Sequence, residues 1–181
     1  MAQRFSRSIH ASSKKHDWRT PNSLVASIRS ALGGVIDLDP CAGKRTRIAR
    51  RNVTASGDGL SIRWSGSVYV NPPYGRAIAR WIEKAIEESE RAGGGIPLTS
   101  GIIVLIPSRT DTRAFHAAAA AASSACLLRG RLRFIGAPAS APFPSVLFYF
   151  GAYPERFDAV FAPLGLITRF DRRTVPAMGR R

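Results

Sequence analysis

Three apolar runs in this chain end at proline, and helical patterns lie around them. Val35–Asp39 meets Pro40, Ser67–Val70 meets Asn71-Pro72-Pro73, and Ile102–Ile106 meets Pro107. Proline has no N–H to give a central strand, so each run reads as a buried strand with a defined end. Before the first run, Thr20 and Pro21 signal a helix start over 21–32, with Leu24, Val25, Ile28 and Leu32 on one face and Gly33-Gly34 as the stop. Residues 44–55 have room for a short helix, and Ser56-Gly57-Asp58-Gly59 is turn chemistry. Ile78–Glu90 is an amphipathic helix with Ile78, Trp81, Ile82, Ala85 and Ile86 on one side, followed by a flexible Gly93-Gly94-Gly95 and Pro97 connection. Thr112–Ser123 is an Ala-rich helix, and Ala125–Phe134 and Ser145–Phe150 are two further strands around the loop 136–144. Alternating strands and helices predict an α/β fold with a mainly parallel sheet covered on both faces; the closing pair of strands adds an antiparallel edge.

Ligands of such sheets bind beyond the C-terminal ends of the strands. The unusual residues of this chain fall there: Asp39-Pro40-Cys41-Ala42-Gly43 after the first strand, Asn71-Pro72-Pro73-Tyr74-Gly75 after the second, and Pro107-Ser108-Arg109-Thr110-Asp111 after the third. One cleft lined by three tips is expected.

Charge narrows the partner. The 181 residues carry 27 Lys+Arg against 12 Asp+Glu, a net +15. Residues 1–16 hold +4 and residues 169–181 another +4, so 17–168 keep +7. Two basic, disordered tails flanking one basic domain at 17–168 point to a polyanion, nucleic acid first, because Lys and Arg near phosphates release condensed counterions. No apolar stretch approaches the roughly 18–20 residues that cross a bilayer, and the N-terminus has no apolar core of a secretory signal. Cys41 and Cys126 read as reduced thiols, so a cytoplasmic protein without a membrane partner is expected.

The Asn-Pro-Pro-Tyr tip carries the most chemistry. Pro72 and Pro73 fix two φ angles and remove two donors, so the tip presents carbonyl oxygens and the Asn71 amide. The Asn71 side-chain oxygen and the Pro72 carbonyl form an acceptor pair suited to an NH2 group, and the Tyr74 ring offers a face for a planar base. Other motifs fail on inspection. Gly43-Lys44 is no phosphate-binding loop, since Leu38 stands where its first glycine belongs and Arg45 where Ser or Thr belongs. Cys41 follows the wrong strand to be a nucleophile on the base. His10, His16 and His116 with two scattered cysteines have no metal-ligand spacing, so no metal is expected. Arg109 and Asp111 can reach the cleft, but Thr110 or Asp111 also suits the N-cap of the next helix.

Asn71-Pro72-Pro73-Tyr74 resembles the catalytic motif of amino-group DNA methyltransferases. Together with Asp17-Trp18-Arg19-Thr20-Pro21, Leu38-Asp39-Pro40-Cys41-Ala42, Asp58-Gly59-Leu60, Trp64, Arg109-Thr110-Asp111-Thr112 and Leu128-Arg129-Gly130-Arg131-Leu132-Arg133-Phe134, it resembles the small phage-type DNA N6-adenine methyltransferases over about residues 17–168. The resemblance implies an abbreviated Rossmann-like, S-adenosylmethionine-dependent methyltransferase fold. It implies catalysis by Asn71, Pro72, Pro73 and Tyr74 on an adenine flipped out of DNA in a bacterial or phage-infected cell. It also implies that Asp39, Pro40, Cys41 and Ala42 hold the methionine part of S-adenosylmethionine while Thr20 and Pro21 close over it. An RNA or protein-glutamine methyltransferase sharing the motif, or a non-catalytic basic DNA-binding relative, stays open at this point.

Two further expectations come from spacing. Asp58 is the only carboxylate between Asp39 and Glu83, and 41–67 is too short for two strands and three crossovers of roughly 10 residues each. The sheet is therefore abbreviated, and Asp58 is expected to take one cofactor contact, although its setting is also that of an ordinary turn. On a strand over 125–134, Arg129, Arg131 and Arg133 would share one face as a phosphate-binding stripe, with Leu128, Leu132 and Phe134 on the other. Lys44, Arg45 and Arg47, with Arg50 and Arg51, form a second basic cluster for DNA.

Overall fold

The computed structural model of the protein describes residues 18–93, 96–97 and 99–170. The expected tail 1–16 and residues 171–181 of the second tail lie outside the described residues, as do Asp17, Gly94 and Gly95. Helix α1 (Asn22–Ala31) opens the fold, followed by β1 (Leu38–Asp39), β2 (Arg51–Asn52), a 3-10 turn (Ala55–Gly57), β3 (Gly66–Val70) and α2 (Ile78–Glu90). A small hairpin, β4 (Ala92–Gly93) with β5 (Ile96–Pro97), leads into β6 (Thr99–Pro107) and α3 (Arg113–Ala121). The chain then runs through β7 (Ser124–Leu128), β8 (Ser145–Phe150), α4 (Pro154–Phe161) and β9 (Gly165–Thr168).

Seven strands form one sheet in the order β2-β1-β3-β6-β8-β7-β9. The first four are parallel, and β8, β7 and β9 pair antiparallel in turn, so a parallel half carries an antiparallel edge. Strand alternation sorts the core into two layers. Val68, Val70, Ile102, Val104, Val146 and Phe148 face a layer with Trp81 and Ile82 of α2 and Phe115 of α3. Tyr69, Ile103, Leu105, Leu147 and Tyr149 face Leu24, Val25 and Ile28 of α1 and Phe157 and Phe161 of α4. Both faces of the sheet are covered, as the alternating pattern requires.

Five expectations change. No helix forms in 44–55: the Asn52 side chain accepts from the N–H groups of Ile48 and Ala49 and donates to the Ala49 carbonyl at 2.6 Å, replacing helical bonds. The Arg50 and Arg51 N–H groups instead bond the carbonyls of Ile36 and Asp37, making an edge strand. The strand expected over 125–134 stops at Leu128, because β8 partners it only from Ser124 to Leu127 and β9 only as far as Leu128. The arginines beyond it therefore lie on an irregular segment and not on a strand face. The glycine connection includes the β4–β5 hairpin, and α4 and β9 lie past the last element the pattern predicted. Arg169 and Phe170, at the start of the expected tail, belong to the fold: Arg169 pairs with Asp158 at 2.7 Å and Phe170 packs on the core.

Helix α2 buries one charge completely. Glu88 has no exposed surface; Lys84 Nζ lies 2.6 Å from it, Arg91 Nε 3.4 Å, and the Trp64 N–H donates to it at 3.3 Å. Removing one member of a buried pair strands the other, at a cost of about 3–5 kcal/mol. Glu88→Ala is expected to lose stability of that order in urea unfolding, and a change within about 0.5 kcal/mol of zero would show that Lys84 and Arg91 reach water freely.

Candidate active site

Parallel pairing brings the ends of β1, β3 and β6 to one side of the sheet. Strand β8 runs the other way and begins there: Pro107 opposes Ser145, and the Ser108 N–H donates to the Pro144 carbonyl at 2.9 Å. The chain leaves β1 outward to β2 and returns on its other side as β3. A crevice opens where strand order reverses in this way. Asp39 and Asn71 stand on its two sides.

Asn71 directly follows β3. Its Nδ2 donates to the Trp18 carbonyl at 2.8 Å and to Thr20 Oγ1 at 3.4 Å, and Thr20 Oγ1 lies 2.7 Å from the buried Tyr69 hydroxyl. The other end of the amide, Oδ1, is buried without a hydrogen-bond partner among the described residues. A buried acceptor left unpaired costs on the order of 1–3 kcal/mol, so this oxygen is poised to take a donor. Pro72 is buried and Pro73 exposed.

Tyr74 is half-buried in a cluster of rings. Its ring meets Trp18 at 5.7 Å, Phe134 at 6.1 Å and Phe143 at 5.3 Å, all edge-on, while Trp18 and Phe143 lie nearly parallel at 5.6 Å. Burial pushes the Tyr74 phenol well above its ordinary value, and its hydroxyl has no hydrogen-bond partner among the described residues. Phe134 and Phe143 come from the segment between β7 and β8, and the Ile135 N–H bonds the Arg19 carbonyl at 2.8 Å, tying that segment to the chain before α1.

The facing loop carries a buried acid. Desolvation raises the Asp39 carboxyl from 3.8 to about 7, opposed only by a bond from the Cys41 N–H. It forms no ion pair among the described residues. A cation seated beside it would return it to the carboxylate form. Burial, with Asp39 nearby, pushes the Cys41 thiol up, so Cys41 stays protonated and is no nucleophile.

Asp58 sits at this loop. Residue 59 must be glycine, because a Cβ there would lie 1.8 Å from the Pro40 carbonyl oxygen. That approach sets the exposed Asp58 beside Asp39-Pro40, in a left-handed conformation (φ +40°) that no other non-glycine residue adopts among those described. Trp64 holds the turn from below, its Nε1–H donating to the Gly59 carbonyl at 2.8 Å.

The basic residues fall in two places: Arg129, Arg131 and Arg133 follow the tip of β7, whereas Arg47 and Arg50 lie beside Arg29, Val35 and Ile36, before β1 rather than at its tip. Lys44, Arg45 and Arg47 are exposed, with the Arg47 guanidinium on the carbonyls of Lys44 and Thr46. Arg50 pairs with Asp37 at 3.1 Å. Arg129, Arg131 and Arg133 are exposed on the segment that starts at the tip of β7, with Leu132 half-buried and Phe134 buried between and after them. Thr112, rather than Thr110 or Asp111, caps α3 by accepting from the Phe115 N–H. His116 is exposed on α3. Pro21 stands at the N-cap position of α1 with no side-chain cap, its carbonyl accepting from the Val25 N–H, next to the buried Thr20.

Sequence reasoning missed Tyr69 and Phe143 and assigned Phe134 only to a strand interior. A tyrosine within the valine-rich run before Asn71, and a lone aromatic in a Pro/Ala loop, were the available signals.

An α/β protein with a buried, unpartnered acceptor beside the point where strand order reverses is the class that this sheet defines. Residues 7–151, about four-fifths of the chain, match the DNA N-6-adenine-methyltransferase (Dam) family, and the chain belongs to it. It is therefore an enzyme that uses a methyl donor of the S-adenosylmethionine type on DNA adenine. Compared with curated proteins, the chain has no match. Among the described residues, no helix is long and apolar enough to cross a membrane.

Asp39 makes stability depend on pH. Its carboxyl titrates higher folded than unfolded, so between about 4 and 7 the native state holds a proton that the unfolded chain releases, and stability falls as pH rises through that window. Without methyl donor, thermal unfolding is expected to show this slope in the native protein and not in Asp39→Asn. An equal slope in both proteins would locate the effect elsewhere.

Proposed function

We propose that the chain transfers a methyl group from S-adenosylmethionine to the N6 amine of an adenine flipped out of DNA, with Asn71 and the Pro72 carbonyl as the amine's acceptors. The observation that carries this reading is the buried, unpartnered Asn71 Oδ1, whose amide nitrogen is already taken by the Trp18 carbonyl. S-adenosylmethionine supplies a methyl group on a positively charged sulfur, which an amine displaces in line. The chain's own residues bind and orient. An exocyclic amine conjugated to its ring is flat and a poor nucleophile; two acceptors out of the ring plane draw its hydrogens aside and free the lone pair. Pro73 keeps the tip rigid, and Tyr74, braced edge-on by Trp18, Phe134 and Phe143, is the ring on which the base stacks. Such positioning is worth up to roughly 7–11 kcal/mol of the barrier. The amine gives up its proton only after it becomes cationic, so the site needs no strong base before transfer.

The residues present fit the cofactor. Asp39 is a buried acid without an ion-pair partner among the described residues, matched to the α-ammonium of the methionine part, with Pro40, Cys41 and Ala42 following it and Pro21 as a further cofactor contact. Asp58 takes a hydroxyl or amine of the nucleoside, a reading supported by its position beside Pro40, where Gly59 holds it. Arg129, Arg131 and Arg133, and Lys44, Arg45 and Arg47 of the connection between β1 and β2, are phosphate contacts; the catalytic domain, expected over 17–168, extends through Arg169 and Phe170, and the basic tails beyond it add affinity without base selectivity. Nothing in the geometry favours the RNA, protein-glutamine or non-catalytic readings.

Labelled S-adenosylmethionine incubated with adenine-containing DNA, followed by digestion to nucleosides, is expected to give N6-methyldeoxyadenosine. Asn71→Ala is expected to lose about 100-fold or more of turnover while still binding the cofactor; retained turnover in that variant overturns the mechanism. Deleting residues 1–16 and 171–181, which spares Arg169 and Phe170, is expected to flatten the salt dependence of DNA binding by about 0.9 logarithmic units for every phosphate the tails neutralise, with turnover at low salt preserved. An unchanged slope in binding titrations would remove the tails from the interface.

A further inference from the structure

We propose that Thr20 and Tyr69 are positioning residues for methyl transfer: together with the Trp18 carbonyl they hold the Asn71 amide in the orientation that turns Oδ1 toward the amine. This rests on the reading of Asn71 as an amine acceptor and explains how that acceptor is made. A carboxamide is nearly the same shape when rotated by half a turn, with oxygen and NH2 exchanged. The rotated form would aim an NH2 group at the NH2 group of adenine, donor against donor. Asn71 is therefore useful in one orientation only, and its own sterics do not select it.

The selection comes from the neighbours. The Trp18 carbonyl, 2.8 Å from Nδ2, can only accept, so it admits the nitrogen and repels the oxygen. Thr20 Oγ1 meets the same nitrogen at 3.4 Å and lies 2.7 Å from the Tyr69 hydroxyl. A threonine hydroxyl has one hydrogen. Either hydroxyl can donate in the Thr20–Tyr69 pair; when Thr20 gives its hydrogen to Tyr69, Oγ1 is left only as an acceptor toward Asn71, and both neighbours of Nδ2 then demand a donor. Tyr69 projects from β3 to the face of α1, two residues before Asn71, and Thr20 is buried at the start of that helix. Thus the sheet and the segment before α1 are joined at the side of the amide that does not face the pocket. Burial keeps the Tyr69 phenol protonated at neutral pH, so its link to Thr20 persists through the working range. The family resemblance implies that Thr20 closes over the cofactor; in the structure its hydroxyl bonds to Tyr69 and Asn71.

The two roles separate in kinetics. Thr20→Val and Tyr69→Phe keep shape and remove one hydroxyl each. Both are expected to lower kcat about tenfold at saturating S-adenosylmethionine and DNA, with cofactor Kd unchanged within about twofold. The double variant is expected to be little worse than either single one, because both interrupt the same chain of bonds. Thr20→Ser is expected to recover kcat. In the nitrogen-15 spectrum, the Asn71 side-chain NH2 pair, assigned by its disappearance in Asn71→Ala, is expected to shift in Thr20→Val and return in Thr20→Ser, which packing alone would not produce. A raised cofactor Kd with unchanged kcat in Thr20→Val overturns the proposal in favour of a cofactor contact, and unchanged kcat with unchanged Kd overturns it outright. If Asn71→Ala itself keeps turnover, the acceptor reading fails; if that variant is dead while Thr20→Val and Tyr69→Phe run at full kcat, only the positioning role fails.

Discussion

The register of β3 between β1 and β6 is the constraint from which the site follows. Val68 pairs with Leu38 on one side and Ile102 on the other, and Ser67–Val70 are buried. A slip of one residue would send Val68 and Val70 to the face that now holds Tyr69, and both core layers would be wrong at once. With the register held, Asn71 emerges at the crevice and Pro72 prevents the strand from continuing. The same alternation directs Tyr69 toward α1, where Thr20 is waiting. Packing of apolar side chains thus sets the position of a polar one, and the core acts on chemistry through a single pairing.

Between the two tips the chain is short, and close approach replaces connecting helices. Strand β2 has two residues and the only helical turn between β2 and β3 has three. Without layers of helix to lean on, the Asp58-Gly59 turn is clamped directly: Gly59 against the Pro40 backbone, and its carbonyl on the Trp64 indole. Trp64 in turn gives its backbone N–H to the buried Glu88 of α2. A charge inside the helical layer therefore reaches the rim through two bonds of one tryptophan.

The prolines and the period-two and helical patterns made the parallel half legible, and helix α2 has the predicted bounds. What stayed hidden has physical causes. Asn52 satisfies the backbone of 48–49 with its own amide, an option that composition does not advertise. The alternation of Arg129, Arg131 and Arg133 with Leu132 and Phe134 is real as exposure but not as a strand, since a ladder needs partners and β8 and β9 supply none there. Helix α4 is short, and its Phe157 and Phe161 spacing after Pro154 is a weak signal next to long, periodic elements. In the site, the tips and the Asn-Pro-Pro-Tyr chemistry were readable because they follow from local residue types. The network behind Asn71 joins residues about 50 positions apart, and only the folded register brings them together.

The segment between β7 and β8 has one more consequence. It carries Phe134 and Phe143, which brace Tyr74, and also the three exposed arginines, while none of its residues lies in a strand of the sheet; an isolated bridge joins its Ile135 to Arg19. On the proposed reading, fit around the base and grip on the DNA backbone are written in one stretch of chain, apart from the strand that holds the acceptor. Descendants of such a protein can exchange that stretch and inherit a new preference for DNA whole, with the catalytic tip passing unchanged from one to the next.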